Sequence, residues 1–190
     1  MKLSGSYQIN LSKEKVWEAL NNPEILKKAI PGCEEFTKNS DTEFTAKATN
    51  KIGPFNASFT GDVELKDLNP PNSYKITGSG NSPVGFASGE AFVKLEDNEQ
   101  GTKLIYEVEA NVGGKIAEVG SRLIDMTAKK MADIFFGKFS ELISVSDDTN
   151  KDSSSQQLDN SINKQSKAKS KIWMYSAIVA GALILAYLIF

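Results

Sequence analysis

Phe44-Thr45-Ala46-Lys47-Ala48-Thr49-Asn50-Lys51-Ile52, Gly53-Pro54, and then Phe55-Asn56-Ala57-Ser58-Phe59-Thr60-Gly61-Asp62-Val63-Glu64-Leu65 decide how this chain folds. Both runs repeat with a period of two. Phe44, Ala46, Ala48 and Ile52 alternate with Thr45, Lys47, Thr49 and Lys51, while Phe55, Ala57, Phe59, Gly61, Val63 and Leu65 alternate with polar residues. A strand sends successive side chains to opposite faces, so this spacing predicts two half-buried strands. Gly53-Pro54 between them is a turn signal, and the pair reads as an antiparallel hairpin.

The pattern extends in both directions. Strands are expected at about 33–39, 42–52, 55–68, 73–81, 85–97 and 102–112, separated by Asn39-Ser40-Asp41, Asn69-Pro70-Pro71-Asn72 and Asp97-Asn98-Glu99-Gln100-Gly101. Upstream, Lys2 to Asn10 reads as a further strand. Ser12 offers an N-cap for a helix over Lys13 to Leu20, and Pro23 opens a second short helix that Pro31-Gly32 stops. Downstream, Ile116, Val119, Leu123, Met126, Ile134 and Leu142 keep approximate helical spacing, which predicts one long helix from about Lys115 to Val145. A helix pair, a run of antiparallel strands and a long final helix make an α+β domain. The sheet must wrap that last helix, the only one long enough to cover it.

The domain is expected to occupy residues 1–145. Residues 146–171 are polar and low in complexity and read as a disordered linker, with an end-to-end distance on the order of 28 Å. Residues 172–190 carry no charge, and as a helix they would reach about 28 Å, near the hydrocarbon thickness of a bilayer. The alternative is a buried core helix. An all-round apolar segment after a polar linker favours a C-terminal transmembrane anchor. Lys164, Lys167, Lys169 and Lys171 precede it, which places the domain on the cytoplasmic face of the cell membrane, and Trp173 and Tyr175 fit an interfacial belt. Ala177 and Gly181 form a weak small-xxx-small pair, so a monomeric anchor is expected. The N-terminus turns polar at once and shows no signal segment.

Composition narrows the chemistry. The chain has 190 residues, a net charge of −2 and no histidine. The commonest general base and metal ligand are therefore missing, and one cysteine, Cys33, makes neither a zinc site nor a disulfide within the chain. No basic field exists on the domain to collect phosphates, which argues against nucleic acid. Enzymatic work would fall to carboxylates or to Tyr74 and Tyr106.

The inward set is unusually small. Ala46, Ala48, Ala57, Gly61, Gly78, Gly80, Ala87, Gly89, Ala91 and Ala110 recur near mid-strand, where Val, Ile and Leu are usual. Either the helix approaches closely and the glycines serve curvature, or the face leaves room for a guest. The start of the helix is lean as well, with Gly113, Gly114, Ala117 and Gly120. Phe86 and Phe92 fall out of phase and read as a mouth or an exposed apolar patch. Arg122 sits near the lean end, where it could touch a ligand carbonyl, but a solvated charged face with Asp125, Lys129, Lys130 and Asp133 is the favoured reading.

Several segments together resemble one family. They are Val16-Trp17-Glu18-Ala19-Leu20-Asn21-Asn22-Pro23-Glu24, Ile30-Pro31-Gly32-Cys33-Glu34, Gly53-Pro54-Phe55, Asp67-Leu68-Asn69-Pro70-Pro71, Val112-Gly113-Gly114-Lys115 and, most specific, Gly120-Ser121-Arg122-Leu123-Ile124-Asp125-Met126-Thr127-Ala128-Lys129-Lys130. Over about residues 1–143 the chain resembles the CoxG family of aerobic carbon monoxide dehydrogenase, which falls in the START-like, polyketide-cyclase-related helix-grip superfamily. The resemblance implies a curved antiparallel sheet gripping the C-terminal helix around an apolar cavity. It implies a non-catalytic accessory role beside a molybdenum hydroxylase, as a membrane tether that also holds a quinone, menaquinone-like, or another lipid. No cofactor-ligating or metal-binding residue is implied, and Cys33 fits as packing after its turn. The expected cavity lining is Ile25, Leu26 and Ile30; Phe44, Ala46, Ala57 and Phe59; Gly89 and Ala91; and Ile116, Val119, Gly120, Leu123 and Met126. Two other functions stay open: a cyclase or hydrolase acting on a lipophilic substrate, and an assembly or docking factor whose interior is merely structural.

Overall fold

The computed structural model describes residues 1–151. β1 (Lys2–Ile9) is followed by α1 (Lys13–Leu20), α2 (Pro23–Ala29) and six strands in succession: β2 (Cys33–Lys38), β3 (Glu43–Ile52), β4 (Phe55–Asn69), β5 (Ser73–Ser82), β6 (Gly85–Asn98) and β7 (Gly101–Gly113). A short 3-10 helix, Lys115–Val119, leads into α3 (Ser121–Lys151). These strands form one antiparallel sheet in the order β1-β7-β6-β5-β4-β3-β2. Consecutive hairpins build the meander, and β1 returns to close its far edge against β7.

The strands lie within a residue or so of where alternation puts them, because the core face is well specified. Phe44, Ala46, Ala48, Asn50, Ile52, Ala57, Phe59, Val63 and Leu65 are buried, and their sequence neighbours are not. β4 and β6 are 15 and 14 residues long, too long to stay flat over one helix. The sheet bends at register shifts between Cys33 and Glu35 and between Lys66 and Asn69.

α1 and α2 cover one end of the sheet. Asn22 caps α2, its side chain accepting from the backbone N–H of Glu24 at 3.0 Å, and Pro23 occupies the first turn, where no donor is needed. Ser12 takes the N-cap position of α1 but makes no side-chain cap bond there.

The final helix differs from expectation in two ways. It is broken at Gly120, because Gly114 and Gly120 adopt φ of +82° and +88° on either side of the 3-10 helix. Such angles suit glycine and interrupt a helical path. Its buried stripe is also shifted. Ala128, Ala132, Phe135, Phe136, Phe139 and Ile143 face the core, while Met126 and Ile134 are exposed. The aliphatic residues alone would select one helix face; the phenylalanines select another.

α3 packs chiefly on α2 and β1. Tyr7 and Phe136 stack at 4.1 Å, Tyr106 and Phe136 at 5.5 Å, and Phe135 and Phe139 at 5.7 Å. Each such ring removed from water contributes on the order of 2–3 kcal/mol. Helical backbone continues to Lys151, past the expected domain limit at 145. The rest of the linker and the apolar segment 172–190 lie outside the described residues. Among the described residues, no helix is long and apolar enough to cross a membrane.

Candidate functional site

Strand register converts scattered small residues into one surface. Ala46 pairs with Gly61, Gly61 with Gly80, Gly80 with Ala87, and Ala87 with Val112. The next inward row runs Phe44, Val63, Gly78, Gly89 and Ala110. Between Phe44 and Val63 at one end and Val112 at the other, Ala46, Gly61, Gly78, Gly80, Ala87, Gly89 and Ala110 therefore form a band of small side chains across the concave face. Substitution at Gly89 is sterically blocked as well: a Cβ there would lie 2.3 Å from the Glu109 carbonyl oxygen of the next strand.

One end of this face is closed by two hairpin tips and the start of α3. A Cβ on Gly53, at the β3–β4 turn, would lie 3.0 Å from Leu123 Cδ2 and 3.4 Å from Val119 Cγ1. At the β5–β6 turn, a Cβ on Gly85 would lie 2.8 Å from Ile116 Cγ2, and the Ile116 N–H donates to the Val84 carbonyl at 3.0 Å. The 3-10 helix is thus pinned by Ile116, while Val119 and Leu123 rest against the other tip and stay half-buried.

The expected lining residues divide by place. Leu26, Ile30, Phe44, Ala46, Ala57, Phe59, Ala91 and Ile116 are buried in the core. Ile25, Gly89, Val119 and Leu123 are half-buried. Gly120 is exposed, with nothing within 4 Å of a Cβ placed on it. Met126 is 62% exposed and Arg122 is exposed too, so both face away from the interior in the described conformation. The cause is the helix phase set by Phe135, Phe136 and Phe139, which turns positions 122 and 126 outward. Phe86, 51% exposed, lies over Gly113, and Phe92 lines an outward depression with Lys75 and Glu107.

Among the described residues, three buried polar atoms have no hydrogen-bond partner: Trp17 Nε1, Asn50 Nδ2 and Tyr74 Oη. Trp17 and Tyr74 meet edge-to-face at 5.3 Å beneath α1. Asn50 lies toward the opposite, seam end, on the inward face of β3. Alternation places Asn50 inward, but its distinction rests on the missing partner, which only three-dimensional contacts disclose.

Two depressions lie on the outer face of the sheet. One, of about 370 Å³, is bordered by Lys2, Lys75, Glu90, Phe92, Glu107 and Glu109, and the other, of about 630 Å³, by Glu43, Asp62, Thr77 and Ser88 and by Phe44, Val63, Gly78 and Gly89 of the second row. Among the described residues, no cluster of His, Cys, Asp or Glu is arranged to hold a metal ion.

Tyr74 and Tyr106 are poorly poised for catalysis. Burial pushes the Tyr74 hydroxyl far above its ordinary range, and burial raises Tyr106 as well, helped by the nearby Asp133 carboxylate. Both remain neutral phenols with little capacity as bases near neutral pH. Burial likewise raises the Cys33 thiol, whose Sγ lies 3.4 Å from the Glu35 carbonyl oxygen, in a packing position.

A family model describing CoxG, a subunit of carbon monoxide dehydrogenase, matches residues 5–144. Among solved structures, a conserved protein from Geobacillus kaustophilus is 31% identical, with a TM-score of 0.73, over 77% of this chain and 97% of that one. A protein from Thermus thermophilus shares the fold at 12% identity and a TM-score of 0.60, over 77% of this chain and 99% of that one. One from Rhizobium leguminosarum does so at 15% and 0.57, over 76% and 94%. No curated protein matches the chain. These structural neighbours have the START-like fold.

Proposed function

The chain belongs to the CoxG family of carbon monoxide dehydrogenase subunits, and on that premise we propose that it is a non-catalytic, membrane-anchored accessory protein that carries a lipophile. The lipophile is a quinone, held between the concave face and the start of α3. The partner is a molybdenum-containing carbon monoxide dehydrogenase, which the protein recruits to the membrane so that electrons reach the respiratory chain.

The observation that carries this reading is the band of small side chains aligned by register over β3 to β7. Folded interiors pack densely, and a broad face built of Ala and Gly loses dispersion contacts and apolar burial unless something fills it. α3 fills the β1 side with rings, while on the other side Val119 and Leu123 meet only the Gly53 hairpin tip. A planar ring with an isoprenoid tail has the shape and apolarity for that position. Residues 172–190, with the lysines before them, would keep the domain at the bilayer, where both the lipophile and the enzyme are concentrated.

The test begins with the full-length chain purified from membranes in mild detergent, its bound lipids extracted and identified by mass spectrometry. A quinone is expected in stoichiometric amount. Its absence, together with failure to take up added quinone, would refute the carrier role. Deleting residues 172–190 should move the protein to the soluble fraction and abolish recovery of dehydrogenase subunits with membranes.

A further inference from the structure

We infer that the Asn50 carboxamide is the specificity-determining hold for a carbonyl oxygen of the bound lipophile. This rests on the carrier reading above and goes further by naming the chemistry that selects the guest. Among the described residues, three polar residues are buried: Asn21, Asn50 and Thr102. Two are satisfied. The Asn21 amide donates to the Trp17 carbonyl, and the Thr102 hydroxyl donates to the Leu11 carbonyl at 2.7 Å. Asn50, only 8% exposed, leaves Nδ2 with no acceptor.

That exception is costly in two ways. A buried donor without an acceptor keeps its full desolvation penalty, and asparagine is disfavoured within strands. An apolar residue would suit the position better for folding, since its inward neighbours along the hairpin are Ala48, Ile52, Ala57 and Phe59. A local break with folding rules that nothing in the fold offsets points to function.

Its location fits that role. Asn50 stands opposite Ala57 in the β3–β4 ladder and three residues before Gly53, the glycine that meets Leu123 and Val119. Its carboxamide lies beside the turn between α2 and β2, with Oδ1 3.0 Å from a Cβ placed on Gly32, and it is about four residues, roughly 13 Å, from the Ala46–Gly61 row of the small band. A guest lying in the band could place a ring or ester carbonyl against Nδ2. Tyr74 and Trp17 are less suited. Tyr74 adjoins Lys75, whose partner Lys66 is nine residues beyond Ala57 on β4, and both rings are sealed beneath α1.

Full-length protein in detergent is titrated calorimetrically with two probes, 2-prenyl-1,4-naphthoquinone and the carbonyl-free hydrocarbon 2-prenylnaphthalene, against detergent blanks. The native chain is expected to prefer the quinone about tenfold, as one recovered hydrogen bond would give. Asn50→Leu should remove that preference while leaving hydrocarbon affinity unchanged, and should hold or raise the melting temperature of the unliganded protein. If Asn50→Leu does not fold, Asn50→Ala is read in the same way. Retention of the quinone preference by the variant, or equal binding of both probes by the native chain, overturns the role of Asn50 and leaves the carrier reading standing. Binding of neither probe by the native chain overturns the carrier reading itself, and this inference with it.

Discussion

Along β1 and β7 the concave face meets α3 through aromatic rings, with Tyr7, Tyr106 and Phe136 stacked and Phe135 and Phe139 fully buried beside them. Across β3 to β6 the same sheet presents Ala46, Gly61, Gly80 and Ala87 in one row, with Gly78 and Gly89 in the next. One surface thus carries two packing regimes. The first holds the fold together, and the second presents mostly small side chains. Folding energy concentrated on one side permits the other to remain adaptable.

The sharpest way to break this contrast is to remove a ring from the dense side. Phe136→Ala deletes the partner of both Tyr7 and Tyr106 and should cost about 3–5 kcal/mol, read as a lower urea midpoint. Filling the lean side should do the reverse to function and less to stability. Ala87→Phe places a ring in the middle of the small band. It is expected to reduce quinone binding at least tenfold by calorimetry, while costing about 1–3 kcal/mol from overpacking. An effect on stability equal to that of Phe136→Ala would show that the band is already filled by the fold.

Tyr74 separates buried polarity of structural origin from that of the seam. Its hydroxyl is fully buried, and burial raises its ionisation above the ordinary value of 10.0. A phenol raised in the folded state contributes stability below its unfolded pKa and loses it as pH climbs beyond about 10. Stability of the native chain should therefore fall in alkali, and Tyr74→Phe should flatten that fall by about 1.4 kcal/mol per pH unit. Quinone affinity should not change, which distinguishes Tyr74 from Asn50. The smallest effect is expected at Tyr7, whose hydroxyl donates to the Asp133 carboxylate of α3 at the protein surface. Tyr7→Phe retains the ring stack and should lower stability by about 1 kcal/mol in denaturant titration.

Much of the fold is legible in the sequence because alternation is a strong constraint on a sheet with one buried face. A shift by one residue would turn Phe44, Phe59 and Leu65 into solvent, so strand positions and facing follow directly. The helix is less legible. Met126, Ile134 and Leu142 satisfy a helical stripe as well as Phe135, Phe136 and Phe139 do, and only packing against β1 and α2 selects between them. Gly120 is lean by residue type, yet its positive φ, which breaks the long helix, depends on how the 3-10 helix is pinned at Ile116.

The candidate site divides in the same manner. Sequence alone determined that small residues occupy inward positions, that no histidine is available for catalysis, and that an uncharged segment follows a polar one near the C-terminus. These are properties of residue type and spacing along one chain. Tertiary structure decided that Ala46, Gly61, Gly80 and Ala87 form one row, that Arg122 and Met126 turn outward, and that Asn50 is buried without an acceptor for its Nδ2. The physical reason is that register, helix phase and hydrogen-bond satisfaction are relations between distant segments. They acquire values only when the strands pair and α3 settles on its aromatic face.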